Sequence, residues 1–202
     1  MLCGPSHVLQ SFTLSVFSSA MRFYFYGTDY QGAAHGTAGI LYMLLQFPDW
    51  CREPSNDPWI RKTLDGFLSL QFRSGNFPSE SSSSSDELLH WCHGSPGAVY
   101  TLHQAYKVYG DPKFKQSLEL ALKSIWERGI LKKGSGLCHG TSGSVYAFLI
   151  AYRHLGSEEY LYNAVKMAEV MSSDETKQEV AATWDPQRKR PGVPDFPYRF
   201  VL

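Results

Sequence analysis

Apolar residues recur every three to four positions through several stretches of this chain, which is the period of a helix with one buried face. Val99, Leu102, Ala105, Tyr106 and Tyr109 form one such stripe. Gly110 ends it, as a residue that tolerates a left-handed cap. Asp111-Pro112 then opens a second helix, with Asp at the N-cap and Pro at the first helical position. That helix carries Phe114, Leu118, Ala121, Leu122, Ile125 and Trp126 on one face. The same order of events returns further on. Val145, Phe148, Leu149 and Tyr152 are followed by a stop at Gly156 and a polar, acidic restart at Ser157-Glu158-Glu159. Tyr160, Ala164, Met167, Ala168 and Met171 complete the pattern. No stretch alternates at the two-residue period of a strand for a convincing length. The predicted class is all-α, built from helical hairpins whose aromatic and Met residues are core.

The pattern is a repeat. Shifted by 46 residues, Cys92-His93-Gly94-Ser95-Pro96-Gly97-Ala98-Val99-Tyr100 falls on Cys138-His139-Gly140-Thr141-Ser142-Gly143-Ser144-Val145-Tyr146. A third copy lies upstream, His35-Gly36-Thr37-Ala38-Gly39-Ile40-Leu41-Tyr42, with Ala34 where the others have cysteine. Self-similarity at a fixed spacing marks a repeat architecture and outranks local propensity. Each unit reads as a glycine-bounded loop followed by two helices. Ser81 to Ser85 read as a flexible loop.

Composition narrows the function. Lys plus Arg and Asp plus Glu both number 19, for a net charge of zero. That balance speaks against nucleic acid as a partner. Hydrophobic residues at 43% exclude disorder of the whole chain. No apolar run reaches the roughly 18 to 20 residues that span a bilayer. The first 20 residues lack a basic start before their apolar stretch, which argues against a secretory signal. The stretch from about Asp174 holds Pro186, Pro191, Pro194 and Pro197 and the basic triplet Arg188-Lys189-Arg190. It reads as an irregular, solvated tail.

Four cysteines are too few for a disulfide scaffold in a chain this long. Cys51 reads as a small buried residue. Cys92 and Cys138 differ, because each is followed by His-Gly. Matched Cys-His-Gly triplets point to a thiolate and imidazole metal site in a reducing compartment. A loop at a helix N-terminus lets Cys138 and His139 turn toward one ion, and the near-symmetry places Cys92 on the adjacent loop. Two thiolates and an imidazole favour zinc. The fourth position is either open, as at a catalytic zinc, or closed by His93 or an outside ligand. An open site would bind a thiol and hold it as a thiolate near neutral pH. Addition of that sulfur to an alkene needs a group to manage a proton. His35 occupies the equivalent repeat position without a neighbouring cysteine, and is either that acid/base or a hydrogen-bonded loop histidine. A glycosidase reading would need paired carboxylates on these loops, and they carry none.

His35-Gly36-Thr37-Ala38-Gly39, Trp91-Cys92-His93-Gly94 and Gly136-Leu137-Cys138-His139-Gly140 resemble the signature motifs of the lanthionine synthetase C-like proteins. Tyr26-Gly27-Thr28-Asp29-Tyr30-Gln31-Gly32-Ala33-Ala34 and Lys132-Lys133-Gly134 resemble its eukaryotic branch. The resemblance runs over about residues 21 to 173. It implies an α/α toroid, of which about three of seven hairpins are present, with an atypical segment over 1–20 and the irregular tail over 174–202. Members are about twice this long, so the chain looks like a truncated member, lacking a catalytic aspartate upstream and a glutathione-binding arginine downstream. The resemblance implies Cys92, Cys138 and His139 as ligands of Zn2+, His35 as the acid/base and Lys133 as a contact to glutathione. The implied activity is addition of glutathione to dehydroalanine or dehydrobutyrine in peptides or proteins. The alternative is a non-catalytic zinc- and glutathione-binding module. The expected location is the cytoplasm. Peripheral membrane contact through N-terminal lipidation is a family trait, for which the Met-Gly start is missing here.

Overall fold

The computed structural model describes residues 20–183. Cys3, the rest of the N-terminal segment, the clustered prolines, the basic triplet and the Pro194–Tyr198 stretch lie outside the described residues. Eight helices follow in order: α1 (Thr37–Leu44), α2 (Pro48–Arg52), α3 (Asp57–Leu68), α4 (Ser95–Tyr109), α5 (Pro112–Arg128), α6 (Thr141–Leu155), α7 (Glu158–Ser172) and α8 (Asp174–Thr183). Among the described residues there is no strand, only isolated bridges from Phe25 to Thr28 and from Tyr30 to Glu80. The protein is all-α, as its apolar spacing predicts.

The helices pair as α1 with α3, α4 with α5 and α6 with α7, and the first member of each pair packs on the next: α1 on α4, α4 on α6. This is an arc of three hairpins from an α/α toroid. The punctuation predicted from sequence holds. Gly110 and Gly156 take left-handed φ values of 67° and 72° and close α4 and α6. The Asp111 carboxylate accepts from the Lys113 amide and caps α5. The core runs continuously through the hairpins, from Leu41, Leu64 and Phe67 through Val99, Leu102, Phe114 and Ile125 to Phe148 and Met167. Each such side chain contributes roughly 1.5–3 kcal/mol on removal from water. The Thr101 hydroxyl donates to the Ala38 carbonyl at 2.8 Å and the Gln104 amide to Leu45 at 2.9 Å, tying α4 to α1.

One glycine recurs for a steric reason. In all three units the second glycine of His-Gly-x-x-Gly sits in the first turn of the inner helix, against the carbonyl six residues earlier. A Cβ on Gly39, Gly97 or Gly143 would collide with the carbonyl of Ala33, Trp91 or Leu137 respectively. The loop can therefore fold back over its helix only if no side chain is present.

Two details differ from the sequence reading. Leu149 shares the predicted apolar stripe of α6, yet it is over a third exposed. No described element covers that side of α6. Tyr146, Tyr162 and Val165 are exposed on the same end of the arc, and Met43, Phe47 and Trp50 at the other. Residues 174–183 form α8 where an irregular tail is expected. The reason is local: this stretch holds neither Pro nor Gly, and it opens with Asp174-Glu175, which suit a helix N-terminus.

Candidate metal and thiol site

The three His-Gly loops precede α1, α4 and α6 and meet at one end of the arc. The segment before α4 is the most firmly held. Asn76 is fully buried and uses all its polar capacity. Its Nδ2 donates to Asp86 Oδ1 at 2.8 Å and to the Leu88 carbonyl at 2.9 Å, and its Oδ1 accepts from the Ser95 amide at 2.8 Å. Arg128 of α5 adds paired contacts at 3.1 Å to the Asp86 carboxylate. The chain from Asp86 to Ser95 is thus anchored at both ends, with His90, Cys92 and His93 between.

The next loop docks on it. The Cys92 amide donates to the Cys138 carbonyl at 3.2 Å. Cys92 Sγ lies 3.3 Å from His139 Nδ1. Burial first, and the adjacent Cys138 thiol second, push the Cys92 thiol up to about 12. Cys92 and Cys138 are free thiols, not a disulfide. Among the described residues, the donor atoms of His90, Cys92 and His139 lie within 4.8 Å of one another. Cys138 borders this triad through its contacts with Cys92. The His90 and His139 rings are 5.7 Å apart.

His35 stands on the other side of His93. Its ring stacks on Phe25 at 5.1 Å, meets Tyr30 at 5.7 Å and lies 5.8 Å from the ring of His93. Phe25 is presented by a tight turn, with Tyr26 and Gly27 at φ 49° and 78°. Both turn residues lie at positive φ, the geometry of a two-residue hairpin, and Gly27 fits it at no steric cost. A groove of about 420 Å³ opens beside His35, lined by Phe25, Ala33, Ile40, Met43 and Leu44. Lys133, on the loop between α5 and α6, brings its Nζ to 3.5 Å from His90 Nε2. Of the sequence-named ligands, Cys92 and His139 fall in this donor cluster, with His90 as its third member; Cys138 lies outside it, beside Cys92. Lys133 reaches His90, and the ring of His35 lies 5.8 Å from that of His93.

The residues present fit a metal ion. Imidazole and thiol are the donors that zinc prefers. A buried thiol beside a second thiol resists ionisation, and a divalent cation is what makes such a pair stable as thiolates. The half-buried His93 offers a further clue, since its Nδ1 is buried without a hydrogen-bond partner. Burial, then His35 and His90, depress its basicity.

Sequence reasoning missed His90 and Asn76. The signal for His90 was its place two residues before Cys92. The repeat hides it, because the equivalent position, 46 residues on, is Gly136.

A quasi-repeated arc of helical hairpins, with Cys-His-Gly loops converging at one end, defines the class. The chain belongs to the lanthionine synthetase C-like proteins, whose family model matches residues 10–190. It is similar to the protein named glutathione S-transferase LANCL1 of Danio rerio, being 41% identical to it over 122 residues. That stretch makes up 59% of this chain and 29% of the relative, so the chain spans less than a third of that protein's length. Among the described residues no helix is long and apolar enough to cross a membrane.

Proposed function

We propose that Cys92, Cys138 and His139 hold a zinc ion at which glutathione is bound, and that the protein adds this thiol to dehydroalanine or dehydrobutyrine residues of peptides or proteins. The observation that carries the reading is the convergence of two cysteines and a histidine from successive loops, with Cys92 Sγ and His139 Nδ1 3.3 Å apart. The printed name of the zebrafish relative supports glutathione as the thiol. When bound, the ion supplies a Lewis-acid position that keeps an incoming thiol ionised near neutral pH.

The reaction is a conjugate addition. The glutathione sulfur joins the β-carbon of the dehydroamino acid, the alkene electron pair moves to the α-carbon, and a proton joins that carbon. His35 handles the proton, held in place by stacking on Phe25. Lys133 contributes a positive charge that suits a carboxylate of glutathione. His35 is exposed beside the groove, within reach of an incoming peptide. The account places the protein in a reducing, cytoplasmic setting, with peripheral membrane contact left to segments outside the described residues.

The test is to incubate zinc-loaded protein with glutathione and a dehydroalanine peptide and to follow the adduct by mass spectrometry. Adduct should form, vanish in Cys92→Ala and Cys138→Ala, and form roughly 10²-fold more slowly in His35→Gln, with its zinc retained. Bound zinc and glutathione without adduct would instead support the non-catalytic module. That second reading is favoured by the 29% coverage of the relative, which leaves most of its length unrepresented here.

A further inference from the structure

We infer that copies of this chain join head to tail, the bare flank of α6 in one seated on the bare flank of α1 in the next, as the chain's own hairpins join. The inner helices α1, α4 and α6 share one composition. α1 contains no Asp, Glu, Lys or Arg, α4 none before Lys107 and α6 none before Arg153. The outer helices α3, α5 and α7 carry charge along their length. A helix that is apolar on every side belongs in a buried place. α4 has one, with α1 on one flank and α6 on the other. Among the described residues, α1 and α6 each have an inner helix on one flank only.

The repeat shows what each bare flank fits. One flank of an inner helix receives the preceding unit. On α4 it holds Thr101, whose hydroxyl donates to the Ala38 carbonyl of α1 at 2.8 Å, and on α6 the counterpart is Ala147; both are fully buried. The same position on α1 is Met43, which is 60% exposed beside the groove of about 420 Å³. The opposite flank meets the following unit. On α1 it holds Leu45, fully buried, its carbonyl bonded by Gln104 of α4. On α4 it holds His103, stacked on His154 of α6 at 3.8 Å. The same position on α6 is Leu149, which is 36% exposed, near Tyr146 at 51%.

The two bare flanks are therefore opposite halves of one kind of joint, and each molecule carries one of each. A second copy supplies the half that is lacking. Such a joint is heterologous, so a pair still has one bare flank at either end, and growth continues until a ring closes. A net charge of zero sets no long-range repulsion against it. His93, the counterpart of His35 within the arc, is only half-buried with its neighbouring unit in place, so the joint leaves the His35 end of the groove accessible.

The experiment is size-exclusion chromatography with light scattering on the full chain over a wide range of concentration. The parent's mass should rise with concentration from the 22.8 kDa of one chain towards multiples of it. Met43→Glu and Leu149→Glu each bury an unpaired charge in one half of the joint and should weaken self-association roughly 10²-fold or more. Both side chains are exposed in the single chain, so circular dichroism should stay parental. Each variant keeps the flank that the other has lost. Mixed in equal amounts, they should form a complex of two chains that neither forms alone and that grows no further.

A parent that stays monomeric at every concentration would overturn the inference. A single variant that associates as well as the parent would also overturn it, since the joint would then be two-fold and use one flank alone. So would a mixture that stays monomeric, whatever the size of the parent. If the parent precipitates, the mixture decides by the same two outcomes. Should a glutamate variant fail to fold, Met43→Lys and Tyr146→Lys replace the pair in the same mixture.

Discussion

Asn76→Ala tests whether the segment that carries His90, Cys92 and His93 is held as described. The amide of Asn76 lies buried between the loop after α3 and the start of α4. Truncation strands the Ser95 amide, now bonded at 2.8 Å, and the Leu88 carbonyl, now bonded at 2.9 Å. Asp86 keeps Arg128, and the Ser95 hydroxyl keeps the Gly75 carbonyl at 2.9 Å, so neither of these is orphaned. Two stranded groups at about 1–2 kcal/mol each, with a small cavity term, give a loss of about 3 kcal/mol. For a chain of this size that lowers Tm by roughly 10 °C. The assay is urea denaturation followed by far-ultraviolet circular dichroism, with a parallel zinc titration. The slope with denaturant should be unchanged and the midpoint lower. Asn76→Asp should be at least as damaging, because it keeps the acceptor for Ser95 but removes both donors and sets a carboxylate beside Asp86. A loss below about 1 kcal/mol in the alanine variant would refute the claim that these bonds anchor the segment.

Gly97→Ala should cost about 2 kcal/mol by overpacking against the Trp91 carbonyl and the Ala33 methyl 2.7 Å away. It should also weaken zinc binding, since Trp91 precedes Cys92; unchanged stability in the same denaturation assay would contradict the steric account. His103 of α4 stacks on His154 of α6 at 3.8 Å, and burial, then His154 and Lys107, lower its pKa to about 4. A group depressed in the folded state from about 6.5 when unfolded favours unfolding as it takes up a proton. Its neutral form costs nothing above pH 6.5, and stability is lost as pH falls from 6.5 towards 4, by an amount of the order of 2 kcal/mol. His103→Leu should flatten the fall in stability between pH 6.5 and 4; an identical pH slope in the two proteins would rule out His103 as the cause.

The hairpins were legible because two independent signals agree in them. The apolar stripe of α4 ends where Gly110 can adopt a left-handed φ, and α5 starts where the Asp111 carboxylate can cap it. The adjacency of Cys92 and Cys138 was legible for a different reason: a fixed repeat puts equivalent residues at equivalent places on neighbouring units. The same logic concealed His90, whose counterpart is glycine, so that nothing recurs to mark it. Asn76 was opaque because its partners lie 10 to 19 residues along the chain and no periodicity links them. The exposed side of Leu149 was also unreadable from its own helix, since the stripe records what a face can bury and not what is there to cover it. The α8 helix is not legible from the composition of the tail as a whole, because the prolines that oppose a helix begin only at Pro186, past its last residue.

The most direct test of the central claim is the metal content of the purified chain, measured by inductively coupled plasma mass spectrometry in the parent, Cys92→Ala and Cys138→Ala. The account predicts equimolar zinc in the parent and its loss in both variants, with helical content retained. Parent protein without zinc, or a Cys138→Ala variant that keeps it at full occupancy, would contradict the account.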